Sequence, residues 1–263
     1  MELEALVPAE QPYLCADARA PALVLAPGLG MDGLGFIRQL PLGAVADLHL
    51  FQTPNEATEG EDGLGHFAWH VEAYIQARRL DQRAGGVVLG GCSMGGAVSL
   101  AVAIRGRVKL RGLILIGSFG NCAHVSWPLR MWGPLLARCL PFGLARRFVR
   151  QVVARTHFFG RIAPGEADWL VSCKLDRTRG YYIRAAIGLT RQDQIAAARS
   201  LTVPTLVLHG TRDHVLPHKA GVELARNIPG ARLVTVEDSG HAVFFTHHGI
   251  VNAEIAAFLR GLP

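Results

Sequence analysis

Lysine is nearly absent from this chain of 263 residues: it stands only at Lys109, Lys174 and Lys219, and arginine supplies the rest of the cationic charge. The formal net charge is +6, from 27 Lys plus Arg against 21 Asp plus Glu. A basic excess suits a nucleic acid, an anionic membrane or an acidic partner, and equally an enzyme with arginines on its surface. The last is the expectation, and where the arginines cluster matters more than their sum. Cysteine is sparse. Cys15, Cys92, Cys122, Cys139 and Cys173 are odd in number, widely spaced and form no C-x-x-C pair. That spacing argues against a disulfide framework or a cysteine zinc site and fits reduced thiols in a cytoplasmic protein. No apolar run reaches the ~20 residues of a spanning helix. The opening MELEALVPAE carries acid where a secretory signal carries positive charge. A soluble protein, cytoplasmic and neither exported nor inserted in a membrane, is the expectation. With 50% hydrophobic and 18% charged residues the composition is globular, with no repeats or low-complexity tracts.

Short apolar runs bounded by turn residues recur at Ala22–Ala26, Leu48–Phe51, Val87–Leu89, Leu113–Ile116, Thr205–His209 and Leu233–Val236. Several are nearly continuous in Val, Leu and Ile, as in strands buried on both faces of a parallel sheet. Helical patterns lie at Phe67–Arg79, Met94–Ile104, Lys219–Asn227 and Ile250–Leu262. The alternation predicts an α/β, mostly parallel doubly wound sheet. It stops between Phe119 and about Arg199, where apolar spacing is helix-like and arginines are dense. A helical cap at 119–199, inserted between core segments 1–118 and 200–263, is the expected organisation. Thr53–Gly65, acidic and Gly-rich, reads as an exposed, mobile loop.

The strongest chemical signal is VVLGGCSMGGAVSLA. Gly91-Cys92-Ser93-Met94-Gly95 fits G-x-S-x-G between a strand and a helix. A serine on so tight a turn takes a strained conformation and stands clear above the sheet, and Gly91 and Gly95 leave the room it needs. The helix N-terminus adds partial positive charge beside it. A serine hydroxyl needs a base. VEDSGHAVF supplies His241 after one strand, and TLVLHGTRDHVLP supplies Asp213 after the preceding one. The order Ser93, Asp213, His241 is that of a nucleophile-elbow hydrolase. Asp238 lies too near His241 and reads as a turn residue, and Asp193 falls in the inserted region. The remaining histidines are spread over separate loops; Pro217 interrupts the His214–His218 spacing, and no metal site is implied.

With GCSMG, HGTRDHVLP and SGHAVF in place, the chain resembles the alpha/beta-hydrolase superfamily over about Leu23–Ile116 and from Thr205 onward. The resemblance implies a serine carboxylesterase-like enzyme that forms an acyl-enzyme on esters or thioesters of apolar acyl groups, without a cofactor. It also implies an oxyanion hole made by the main-chain N–H of Met94 and of Leu29, in the loop LVLAPGLGMDG. There the chain departs from the His-Gly common among relatives and has Pro27-Gly28. The glycines Gly28, Gly30 and Gly33 of that loop also fit a dinucleotide-binding turn, which requires an acid after the next strand. That strand ends in QTPN, and Asp47 precedes it.

The fold hosts other chemistry. Ser93 argues against dehalogenases and epoxide hydrolases; cofactor-free haloperoxidases, carbon–carbon bond hydrolases and non-catalytic binding proteins stay open. The cap contains Arg130, Arg138, Arg146, Arg147, Arg150, Arg155 and Arg161. These read as solvated charges over an apolar underside. They also resemble the basic cap of the carboxylesterases of biotin synthesis, which receives an acidic acyl carrier protein, or a surface for anionic lipid. The partner expected is a small-molecule ester; an acidic carrier protein at the Arg-rich cap stays open, and no nucleic acid or stable membrane insertion is expected.

Overall fold

The computed structural model describes residues 20–54, 63–139 and 178–263. Every strand expected from an apolar run is present. β1 (Ala22–Ala26), β2 (Asp47–Leu50), β3 (Val87–Cys92) and β5 (Thr205–Gly210) are buried along their whole length. β4 (Leu110–Ile116) is buried except at its start, and β6 (Arg232–Val236) is partly exposed at the sheet edge. The strands form one six-stranded sheet in the order β2-β1-β3-β4-β5-β6, every pair parallel.

Side chains alternate across that sheet, so each strand feeds two layers. Leu23 and Leu25 of β1 pack with a 3₁₀ stretch, Gly33–Ala44, and with α7 (Val243–Thr246) and α8 (His248–Gly261). Ala22, Val24 and Ala26 pack on the opposite side against α1 (Leu64–Ala77) and α2 (Met94–Arg105). Farther along that side, Leu113, Leu115 and Val207 meet Leu100 of α2 and Leu224 of α6 (Lys219–Asn227). Burying one such Leu, Val or Phe contributes about 1.5–3 kcal/mol.

Between β4 and β5 the chain forms α3 (Trp127–Cys139), α4 (Arg179–Arg191) and the short α5 (Ile195–Ala198). Arg146, Arg147, Arg150, Arg155 and Arg161 lie outside the described residues, as do Cys15 and Cys173. No helix among the described residues is long and apolar enough to cross a membrane.

One expectation is revised, and one element has no counterpart in the sequence pattern. The loop read as exposed is only partly so where it is described: Pro54 is exposed and Gly65 half-buried, whereas Thr53 is 5% exposed and Gly63 and Leu64 are buried. Gly63 (φ +64) lies against α4, where a Cβ on Gly188 would begin 2.7 Å from Leu64 N. Residues 55–62 of that loop lie outside the described residues. The 3₁₀ stretch was not foreseen, because three glycines and Pro41 break any period. It is held from outside itself: the buried Gln39 donates from Nε2 to Phe244 O (2.6 Å) and Asn252 Oδ1 (3.2 Å).

The chain leaves β1 toward β2 on one side, and β3 lies on the other. Loops that depart in opposite directions open a crevice at the carboxyl ends of β1 and β3, where ligands bind in open α/β sheets. The floor of that crevice depends on an absent side chain at Gly95. A Cβ there would stand 2.1 Å from Ala26 O and 2.5 Å from Pro27 O, both backbone atoms that cannot swing away. Gly95→Ala should cost about 3 kcal/mol or more, read as a fall in the urea midpoint. Gly249→Ala, with nothing within 4 Å, should leave the midpoint equal or higher.

Candidate active site

Ser93 occupies the turn between β3 and α2 with φ 53 and ψ −119. Few L-residues adopt that conformation, and holding it costs of order 1–3 kcal/mol. Its neighbours over-determine it. Ser93 N–H donates to Ile116 O (2.9 Å), and Ser93 O accepts from Gly96 N (3.1 Å), Ala97 N (3.2 Å) and Ser118 Oγ (2.9 Å). The bend is possible because a Cβ is missing at three places. At Gly91 it would lie 2.4 Å from Gly95 C, and at Gly96 2.5 Å from Ser118 Oγ; Gly95 was described above. The elbow expected from G-x-S-x-G is therefore present, with Met94 opening the helix and its N–H among the unpaired donors of the first turn.

The loop after β1 lies against this elbow. A Cβ on Gly28 would begin 3.4 Å from Cys92 O and 3.5 Å from Ser93 Cβ. Met31 N–H donates to Gly28 O (3.1 Å), closing a turn with Leu29 and Gly30 at its centre. Gly30 has φ +68 and Leu29 has no positive φ, which is a type II turn. The main-chain N–H groups of Leu29 and Met94 donate to no acceptor among the described residues. Asp47 stands at the other end of the sheet, the first residue of β2. There it holds His49 (3.1 Å) and Arg83 (2.5 Å). The acid that a dinucleotide turn needs is thus absent from the carboxyl end of β2.

Asp213 and His241 come together from the loops after β5 and β6. His241 Nδ1 is 2.8 Å from Asp213 Oδ2, and both residues are buried. The other carboxylate oxygen, Oδ1, accepts from Val215 N (2.9 Å) and Leu216 N (2.8 Å). Burial alone would raise the Asp213 pKa. The His241 charge, hydrogen bonds from His209 and His241 and the Leu216 N–H outweigh it and hold the carboxyl well below the usual carboxylate range. An ionised carboxylate only accepts, so Nδ1 of His241 carries the proton and Nε2 is the basic nitrogen.

Sequence reasoning missed a third member. His209, at the end of β5 and fully buried, brings Nε2 to 3.3 Å from Asp213 Oδ2 and 2.9 Å from Leu216 O. By spacing alone it belongs with the remaining histidines that the sequence spreads over separate loops. The available signal was a polar ring inside a run of otherwise buried strand residues.

Gly117 joins the two halves of the site. Ser93 is bonded to Ile116 O, and a Cβ on the next residue, Gly117, would begin 3.2 Å from His241 O and 3.7 Å from Asp213 Oδ2. Ser93, Asp213 and His241 therefore follow the carboxyl ends of β3, β5 and β6, with Gly117, just past β4, against His241 and Asp213. The competing carboxylates are engaged elsewhere. Asp238 is an exposed turn residue (φ 57) paired with Arg212 at 2.7 Å. Asp193 Oδ1 accepts from Ile195 N at the start of α5 (3.1 Å). His218 meets Thr235 Oγ1 (3.0 Å). Among the described residues no cluster of three or more His, Cys, Asp or Glu side chains could hold a metal ion.

A carboxyl titrating below its unfolded value of about 3.9 stabilises the fold fully above that pH. The stabilisation is lost as the pH falls through the folded value. Asp213→Asn should therefore lower the urea midpoint more at pH 7 than at pH 3, the difference from wild type shrinking in acid. An equal loss at both pH values would show that the carboxylate charge contributes nothing.

The alpha/beta hydrolase family model matches residues 23–254. A 2-hydroxymuconate semialdehyde hydrolase of Pseudomonas putida is 31% identical over 236 residues, 83% of this chain and 77% of that one. A pimeloyl-[acyl-carrier protein] methyl ester esterase of Neisseria meningitidis is 28% identical over 182 residues, covering 65% and 68%. Among solved structures, an esterase from Exiguobacterium antarcticum superposes with a TM-score of 0.79 at 21% identity, over 92% of each chain. With its sheet order, its strained serine and a family match across most of its length, the chain belongs to the alpha/beta hydrolase family.

Proposed function

We propose that the protein hydrolyses carboxylic esters, or thioesters, of apolar acyl groups through an acyl-enzyme on Ser93. The observation that carries this reading is the buried His241–Asp213 hydrogen bond beside a serine held at a strained elbow. Nε2 of His241 takes the proton from Ser93 Oγ as the oxygen attacks the acyl carbon. Asp213 holds the ring in the right tautomer and stabilises the imidazolium. The Leu29 and Met94 amides receive the oxyanion, each donor lowering the barrier by about 3 kcal/mol. The imidazolium then protonates the leaving group, and water, activated by the same ring, releases the acid. Relatives named as hydrolases and esterases support the reaction class.

The second reading concerns the acyl carrier. One relative is named for a methyl ester on an acyl carrier protein, and residues 119–199 would form the cap over the carboxyl ends of the strands. Arg130 and Arg138 of α3 are exposed there. An acidic carrier steered by such charges would show turnover that falls as salt rises, whereas a free nitrophenyl ester would not.

A fluorophosphonate probe should label Ser93, located by peptide mass. Nitrophenyl esters of increasing chain length should be turned over by wild type, with Ser93→Ala at least ~10⁴-fold slower. Folded protein that takes up no probe and hydrolyses none of the esters would leave a binding protein on this fold.

A further inference from the structure

The turn that carries Leu29 is tied to a helix far away in sequence. Gly30 N–H donates to Tyr181 Oη at 3.0 Å, a buried bond between residues 151 apart. That N–H belongs to the Leu29–Gly30 peptide, the central peptide of the type II turn. Rotating this peptide converts a type II turn into type I, and glycine accepts the φ of either. The turn residues therefore leave two orientations open. In one, the buried Gly30 N–H meets the tyrosine oxygen; in the other it would lose that partner, and the Leu29 carbonyl would swing to the opposite side of the turn.

We propose that Tyr181 is a positioning residue: its hydroxyl selects the orientation of the Leu29–Gly30 peptide, and so sets the oxyanion loop from the inserted helix α4. The inference rests on the hydrolase reading for its consequence in catalysis. The hydroxyl is itself well placed to act as a fixed point. Tyr181 lies in the first turn of α4, where Thr178 Oγ1 accepts its N–H (3.2 Å). Its ring is 3% exposed and packs edge-on against Phe67 of α1, with centroids 5.3 Å apart. The contact of Gly63 with Gly188 seats the same helix on the start of α1. A displacement of α4 would therefore release the turn beside Ser93, so the insertion would govern oxyanion stabilisation as well as access.

Tyr181→Phe removes the oxygen and keeps the ring on Phe67. With the nitrophenyl ester that wild type turns over best, kcat should fall on the order of tenfold, less than the loss of a whole donor. KM should stay within about twofold, and affinity for a trifluoromethyl ketone should weaken by the same factor as kcat, while the thermal midpoint falls by no more than the few degrees that one orphaned buried N–H costs. Unchanged kcat, or a change confined to KM, overturns the proposal while leaving the hydrolase reading intact. Wild type that hydrolyses no ester defeats the hydrolase reading alone. Amide hydrogen exchange at Gly30 then decides the positioning: exchange at least tenfold faster in Tyr181→Phe upholds it, and equal exchange overturns it.

Discussion

A serine at φ 53 between a strand and a helix is an unfavourable arrangement, and the architecture around it is organised to hold it. The strand before it hydrogen-bonds on both sides to parallel neighbours, β1 and β4. The helix after it presses so closely on the loop from β1 that Gly95 has no space for a methyl group. Ser118 and Ile116, from the adjoining strand end, fix both the carbonyl and the amide of Ser93. Strain of this kind persists only where many contacts agree, and here they come from three separate strands. The same crowding brings the Leu29 loop and the Met94 amide beside the hydroxyl.

Charge is confined as tightly as shape. Asp213 is buried, yet stays ionised because its oxygens meet two main-chain N–H groups and two imidazoles. An unpaired carboxylate at that depth would take up a proton instead. Ionised, it keeps the proton of His241 on Nδ1 and leaves Nε2 unprotonated in the neutral ring. The parallel sheet supplies the spacing: Ser93, Asp213 and His241 follow the carboxyl ends of β3, β5 and β6, and Gly117, at the end of the intervening β4, is small enough to let His241 and Asp213 approach.

Most of this was legible in the sequence because it depends on local patterns. Continuous apolar runs marked the buried strands, and Gly91 and Gly95 flanking Ser93 marked the elbow. The spacing of Asp213 and His241 after successive strands marked their places on the rim. What escaped depends on contacts between distant residues. His209 touches the acid only because β5 ends beside its own returning loop. The 3₁₀ stretch is held by Gln39 reaching α7 and α8, and the Gly30–Tyr181 bond joins segments that share no period. The edges of α1 also shifted. It starts at Leu64, where Gly63 fits against α4, and ends at Ala77, two residues before Arg79 turns left-handed (φ 54).

The most direct measurement is a crystal structure of the protein treated with an alkyl boronic acid, whose tetrahedral adduct imitates the oxyanion. Boron should be bonded to Ser93 Oγ, with one boronate oxygen about 2.7–3.1 Å from both the Leu29 and Met94 nitrogens and the other facing His241 Nε2. An adduct on another residue, or a boronate oxygen turned away from both amides, would contradict the account.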